Sequence, residues 1–297
     1  MVFSLLLLTF ALWFFFQQTR EVSVKQVYLA FQNIPSYRLF FCFFLCMGSY
    51  VQLTVFDWLA LKFINRALPY QKIALASFVG YSFSHNMGHP LLTGGYSRFR
   101  FYTSWGFKPA EIIRFILFYS MNFWMGILFV GGLVLTLNWV HPPPFLVRWF
   151  HVGPIWGEIF LGLLVLCGSL CIFHNRKFKI FSLDLHFPRF NLFLAQIAIA
   201  SIEWVIASLA FYIILPATAL PFGEFLGVYL FSILLGFISQ VPGGLGVFES
   251  SMLLYLKPYI PVSELMASFL LFRLFYFILP FLVGIALYIH FGLFKRE

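Results

Sequence analysis

The stretch "FISQVPGGLGVFES", residues 237–250, interrupts one of the most apolar parts of the chain. Pro242 lacks a backbone N–H donor, and glycine adopts backbone conformations that other residues avoid. Besides the proline, the stretch contains three glycines and a carboxylate: Gly243, Gly244, Gly246 and Glu249. The sequence therefore predicts that an apolar helix breaks here, with a charge beside the break.

The composition explains why such a break is unusual. Of 297 residues, 62% are hydrophobic and only 10% are charged, and the mean hydropathy is +0.92. These values are typical of a polytopic membrane protein and exclude a soluble globular one. We expect a single all-α transmembrane domain over residues 1–297, in a cell membrane, and nothing indicates a nucleic-acid partner.

Eight apolar runs are candidates for membrane helices or hairpin arms, and the first of them is short. They are 2–17, 39–61, 71–90, 109–137, 154–173, 190–215, 222–241 and 262–291. The first run lacks the basic start and the cleavage site of a signal peptide, so we interpret it as a retained span. Residues 18–38 mix Val and Leu with charges, which suits a helix lying on the membrane surface.

A second stretch, residues 78–102, resembles the first break, since it runs from an apolar arm through Gly and Pro into a predicted Gly-Gly turn. A Glu (Glu111 or Glu264), a long apolar helix and a later Gly (Gly126 or Gly284) follow each break. This pattern predicts two related halves, about 1–140 and 141–297. If each break is the tip of a re-entrant hairpin, each half has three spans and the halves are inverted, with the breaks meeting near the midplane. The alternative is eight or nine full spans.

The distribution of basic residues predicts the orientation of only one terminus. With hairpins, twelve Lys and Arg residues of the loops lie on one side of the membrane and five on the other. The excess predicts a cytoplasmic C-terminus. If residues 71–90 span instead, the count is unchanged, so the side of the N-terminus stays open.

Ionisable residues at membrane depth are candidate site residues because each is costly to place there. Arg273 and Glu203 lie deep within apolar runs, and Glu249 follows the second break. We weigh substrate contact by Arg273 equally with a buried structural ion pair. Asp57 is interpreted as reaching the membrane surface from the end of its helix. Glu111 and Arg114, at i and i+3, are interpreted as an interfacial pair.

Metal binding and catalysis have little support in the sequence. His85 and His89 have the spacing of a metal pair, but Gly and Pro disrupt the helix that they would need. The cysteines form two i, i+4 pairs in apolar runs and are interpreted as small hydrophobic residues: Cys42 with Cys46, and Cys167 with Cys171. No catalytic motif is present, and we expect neither metal nor cofactor. Arg98 and Arg100 either bind lipid phosphate or anchor the chain at the interface.

Three segments resemble a known family. "QVPGGLGVFESSMLLYL" (240–256) and "ASFLLFRLFYFILPFLVG" (267–284) resemble the C-terminal signature of the lysylphosphatidylglycerol synthase transmembrane family, the flippase-like domain of MprF proteins. "HPLLTGGYSRFRFYTSWGFKPAEIIRFILFYSMNFW" (89–124) is similar to its first-half motif. The resemblance covers nearly the whole chain, and it implies a stand-alone member without the synthase domain.

The resemblance implies lipid translocation, and lipid synthesis on this chain is not implied, since the sequence shows no soluble aminoacyl-transferase domain. Family members are associated with aminoacylated phospholipids, lipid-linked sugars and hopanoids, so the lipid itself is not implied. Physically, Glu249 and Glu203 suit a cationic headgroup, and Arg273 with hairpin helix N-termini suits phosphate. The alternative is an integral-membrane enzyme, or a partner of a separate lipid-synthesis enzyme, that binds a lipid without moving it. A purely structural scaffold would leave the buried charges unexplained.

Overall fold

The structure is a computed structural model that describes residues 9, 13, 15–87, 90–140, 153–173, 178–180, 183–185, 187–216 and 220–294. The predicted first span, 2–17, lies largely outside the described residues. Six described helices are long and apolar enough to cross a membrane, which confirms an all-α multi-pass membrane protein. They are Ser36–Phe63, Pro109–Thr136, Pro154–Ile172, Phe190–Tyr212, Phe222–Ser239 and Val262–Leu293.

The first part of the chain contains a short helix and four longer ones. These are α1 (Val24–Gln32), α2 (Ser36–Phe63), α3 (Tyr70–Met87), α4 (Pro90–Ser104) and α5, which runs from Pro109–Gly126 through a π turn at Ile127–Gly131 to Gly132–Thr136. Ser23 caps α1 and exchanges hydrogen bonds with Gln26, its N3 residue. Asn65, with φ of 54°, lies in the left-handed region where the chain turns after α2.

The second part begins with a long helix and a small hairpin. Its elements are α6 (Pro154–Phe173), the antiparallel strands β1 (Phe178–Ile180) and β2 (Leu183–Leu185), α7 (Phe190–Tyr212), α8 (Phe222–Ser239), α9 (Val247–Leu256) and α10. The last helix, α10, runs from Val262–Phe272 through a π turn at Arg273–Ile278 to Leu279–Phe294. β1 and β2 are the only strands among the described residues.

The helix order is similar in the two parts. The arms before the two breaks, α3 and α8, each have 18 residues, and the long helices after the breaks, α5 and α10, each contain a π turn. The two related halves and their inverted relationship stay predictions. The π turns have no signal in the sequence that we interpreted.

The predicted Gly-Gly turn in the first break is wrong. Gly94 and Gly95 lie inside α4, which begins at Pro90, so neither glycine forms a turn. Gly95 is buried, and a Cβ atom there would lie 3.6 Å from the side chain of Ile116 on α5. The glycines therefore allow close packing of a helix instead of a turn.

By contact density the chain forms two compact units. The first unit comprises residues 1–49, 79–94 and 206–297, and the second comprises 50–78 and 95–205. In the first unit α1 packs against the start of α10, and Phe211 stacks on Phe272 at 4.9 Å between ring centroids. In the second unit α6 packs against the end of α5 through Gly157 and Gly132. Most other side chains of α6 are exposed, as expected for a helix facing lipid.

Candidate functional site

The helix break between α8 and α9 occurs where the sequence predicts it. α8 ends at Ser239, and Gln240 turns the chain with a φ of 55°. A 3-10 turn, Pro242–Gly244, follows, and three glycines have positive φ: Gly243 at 59°, Gly244 at 61° and Gly246 at 76°. Only glycine adopts this succession without strain, which is the physical reason for the Gly-rich sequence.

The carboxylate of Glu249 links the break to α10. Its Oε2 accepts a hydrogen bond from the backbone N–H of Gly246 at 2.8 Å, so it caps the start of α9. Its Oε1 accepts from Nε of Arg273 at 2.6 Å. Nη1 of Arg273 in turn donates to the carbonyl of Gly243 at 2.5 Å. Both charged side chains are buried, so the ion pair and the broken backbone stabilise each other.

Arg273 is the first residue of the π turn in α10. Its guanidinium lies 4.4 Å from the ring centroid of Phe277 and 5.7 Å from that of Phe248. Aromatic faces stabilise a cation in surroundings with little water. A π turn widens the helix locally and is frequent at functional sites.

The end of α3 reaches the same place. A Cβ atom on Gly243 would lie 3.4 Å from the carbonyl oxygen of His85, so the second break packs against the last turn of α3. The His85 ring stacks on Tyr276 at 5.4 Å, and Nδ2 of Asn86 donates to the carbonyl of Phe277 at 3.1 Å. The end of α3 thus contacts the second break, and the hairpin arrangement itself stays a prediction. His89, the other half of the predicted metal pair, lies outside the described residues.

A second buried ion pair lies in the second unit. Nε and Nη2 of Arg98 on α4 donate to the two carboxylate oxygens of Asp57 on α2, at 2.9 and 3.0 Å. Both side chains have no exposed surface. The guanidinium also lies 4.3 Å from the ring centroid of Tyr119. The interpretations of Asp57 as reaching the surface and of Arg98 as an interfacial anchor are therefore wrong.

The other predicted site residues have different surroundings. Glu203 lies on α7 in the second unit and is 7% exposed. Arg100 is exposed on α4, two residues beyond Arg98. Glu111 pairs with Arg66, at 2.9 Å between Nε and Oε1, so the predicted pair with Arg114 is wrong. The reason is that the turn after α2 brings Arg66 to the start of α5, where the carboxylate accepts two hydrogen bonds from one guanidinium.

Comparison with known proteins agrees with this architecture. Residues 1–284 match the model of the lysylphosphatidylglycerol synthase TM region. The chain belongs to this family. An uncharacterized protein of Synechocystis is 35% identical over 86% of this chain and 80% of its own length, and the inner membrane protein YbhN of Escherichia coli is 24% identical over 91% and 85%.

Longer proteins are also similar to this chain. The phosphatidylglycerol lysyltransferase of Bacillus subtilis is 23% identical over 96% of this chain, but the match covers only 33% of that enzyme. The similarity therefore concerns one part of the enzyme and does not transfer its activity to this chain.

Sequence reasoning missed Asp57 as a candidate residue. Asp57 is a single carboxylate within the long apolar helix α2, and such a group needs a partner. The isolated carboxylate was therefore a signal for a buried partner. The interpretation failed because α2 continues to Phe63, six residues beyond Asp57, and a short aspartate side chain does not reach that far. Among the described residues no group of three or more His, Cys, Asp or Glu side chains has the arrangement of a metal site.

Proposed function

We propose that this chain moves a polar-headed lipid between the two leaflets of the membrane, as a lipid flippase. The observation that carries the proposal is the break at residues 240–246, where accessible backbone lies beside the buried pair of Arg273 and Glu249. Pro242 and Leu245 are exposed, and Gly243 and Gly244 are half-buried. Polar backbone of this kind is tolerated at membrane depth only where protein or water satisfies it.

The length of α9 favours a break at about half depth, although α8, with 18 residues, is long enough to cross the core. The ten residues of α9 extend about 15 Å, which is half of a hydrocarbon core of about 30 Å. The turn that follows α9 carries exposed Lys257 and Tyr259, which suit the membrane surface. A headgroup that crosses the core needs polar groups at this depth, while its acyl chains stay in the surrounding lipid.

The proposed roles follow from chemistry. Gly243 and Gly244 have no side chain, so backbone can approach a headgroup there. Arg273 keeps further N–H groups beyond those bonded to Glu249 and Gly243, and these suit a phosphate oxygen. Glu203 and Arg100 remain proposed contacts on the second unit. Arg98 could serve a lipid only if its bond to Asp57 opened.

Relatives support a lipid as substrate, since several are named phosphatidylglycerol lysyltransferases. We therefore propose phospholipids, anionic or aminoacylated, or lipid-linked sugars as the substrate class. A separate enzyme would supply any modified lipid. The competing proposal, a membrane enzyme or enzyme partner that only binds the lipid, predicts binding without movement.

Transport by the purified chain tests the proposal directly. The chain is reconstituted in vesicles without any aminoacyl donor, and the accessibility of labelled phosphatidylglycerol, lysylphosphatidylglycerol and phosphatidylcholine in each leaflet is followed. We expect at least one headgroup to exchange faster than in protein-free vesicles. Exchange at the protein-free rate for all headgroups, together with measurable lipid binding, would favour the enzyme or partner function.

A further inference from the structure

The start of α5 carries a concentration of positive charge in the second unit. Four cations, which we call the basic cluster, belong to it: Arg66, Lys72, Lys108 and Arg114. The first three are exposed, and Arg114 is half-buried one turn into α5. None of them takes part in the break or in the two buried ion pairs. The proposed transport therefore leaves this charge unexplained.

Two of these cations lie next to aromatic rings. The guanidinium of Arg66 lies 4.9 Å from the ring centroid of Phe107, and Nζ of Lys72 lies 5.5 Å from that of Trp105. Tyr102 contacts both rings, at 5.3 and 5.6 Å between centroids. The rings restrict the two flexible side chains, which lowers the entropy that a ligand has to remove when it binds.

An internal carboxylate, Glu111, lies within the cluster. Glu111 accepts from Nε and Nη2 of Arg66 at 2.9 and 3.1 Å, and from the backbone N–H of Lys108 at 2.8 Å. This is the N-terminal end of a long helix, where an anion is stabilised. The Arg66 and Glu111 side chains are 42% and 25% exposed, so another anion can reach and replace the carboxylate.

The surroundings of Arg114 also favour binding of an anion. It follows Glu111 by three residues and so lies on the same side of α5. Its Nε is shielded from solvent and has no hydrogen-bond partner in the part of the chain that the structure describes. A buried donor without an acceptor is costly, and an arginine carries five N–H donors suited to phosphate. Arg114 lies about 8 Å along α5 from its start, and so near one end of this candidate membrane helix.

We propose that the basic cluster binds the phosphate of an anionic phospholipid headgroup. When the lipid is absent, the carboxylate of Glu111 occupies the position of that phosphate. The proposal does not depend on transport, because a lipid bound here stays at the membrane surface. The phosphate oxygens accept hydrogen bonds from the guanidinium groups of Arg66 and Arg114. Lys72 and Lys108 add electrostatic attraction for the anionic headgroup.

Lipid binding to the purified, delipidated full chain tests the proposal. Native mass spectrometry measures binding of phosphatidylglycerol and phosphatidylcholine to the wild type and to Arg66→Gln, Arg114→Gln and Glu111→Gln. Lys25→Gln, at an exposed lysine of α1, is the matched control. Inorganic phosphate as competitor separates a lipid site from a site for free phosphate.

We expect phosphatidylglycerol to bind more tightly than phosphatidylcholine, and each arginine variant to lose about five-fold in affinity. Glu111→Gln should bind phosphatidylglycerol more tightly, since its competitor is removed, and Lys25→Gln should equal the wild type. Unchanged thermal unfolding midpoints establish that the variants fold. Equal affinity for the two lipids, wild-type affinity in both arginine variants, or full displacement by millimolar inorganic phosphate would overturn the proposal. Weaker binding by Glu111→Gln would overturn the role of the carboxylate.

Discussion

Arg273 donates to Glu249 across 24 residues of chain, at 2.6 Å, while the other oxygen of the same carboxylate caps the helix that starts at the break. The ion pair and the break are therefore one structural unit. Loss of Arg273 leaves the Glu249 charge and the carbonyl of Gly243 without a partner, and loss of Glu249 leaves the Arg273 charge and the N–H of Gly246 without one. This coupling explains how a Gly-rich break is stable between two apolar helices.

Removal of one charge of this pair should destabilise the protein. We expect Arg273→Gln to lower the free energy of unfolding by about 3–5 kcal/mol, since Glu249 is left buried and unpaired. The double variant Arg273→Gln with Glu249→Gln should recover much of this loss, as measured by thermal unfolding in detergent. Arg273→Gln with Glu203→Gln is the control and should not recover stability.

The same variants separate a structural role of Arg273 from substrate contact. If Arg273 serves the lipid, the stable double variant Arg273→Gln with Glu249→Gln should not transport lipid in vesicles. Arg273→Lys should keep the charge but lose the two-pronged geometry, and so lose most transport. Full transport by the double variant would show that no arginine is needed at this position.

Gly244 should be essential for the shape of the break. Its φ is 61°, and a Cβ atom would lie 3.2 Å from Cα of Gly236 on α8. We expect Gly244→Val to cost about 1–3 kcal/mol and to abolish transport, because the valine strains the turn and fills the space beside it. Gly162→Val on α6, where a Cβ atom meets nothing within 4 Å, is the control with normal transport. A Gly244→Val protein with wild-type stability and transport would contradict the proposed role.

The two ion pairs of the second unit should differ in their contribution to stability. Arg98→Gln or Asp57→Asn should destabilise by about 3–5 kcal/mol, because the partner is left fully buried. Arg66→Gln should cost less than about 1 kcal/mol, since solvent screens its exposed pair with Glu111. Thermal unfolding of the three variants under one condition measures the difference. Equal effects would show that burial does not determine the strength of these pairs.

Cysteine labelling should decide the topology. With both termini cytoplasmic and α3 part of a hairpin, a single cysteine at Glu21 should react from outside and one at Arg66 from inside, in a background without the four native cysteines. Both positions are exposed in the structure, so a lack of reaction reflects the side of the membrane. The reverse pattern would show that residues 71–90 cross the membrane, and the halves would not be a simple inverted repeat.

Local sequence features predict much of the architecture because they depend on neighbouring residues alone. The apolar runs at 109–137 and 190–215 become α5 and α7 with ends shifted by a few residues. The proline and the glycines at 242–246 break the helix since their backbone preferences hold in any surroundings. The same reasoning failed at Gly94 and Gly95, because glycine permits both a turn and close helix packing.

Composition and local backbone preference are enough to predict the class of the protein, most of its apolar helices and the break beside Glu249. Which charges pair is visible only in the folded chain. Arg98 pairs with Asp57, 41 residues away, and Glu111 pairs with Arg66 instead of its neighbour Arg114. The π turn at Arg273 was likewise seen only in the structure. The reason is that a buried charge requires a partner but leaves the choice to packing, since any oppositely charged group within hydrogen-bond distance meets the requirement.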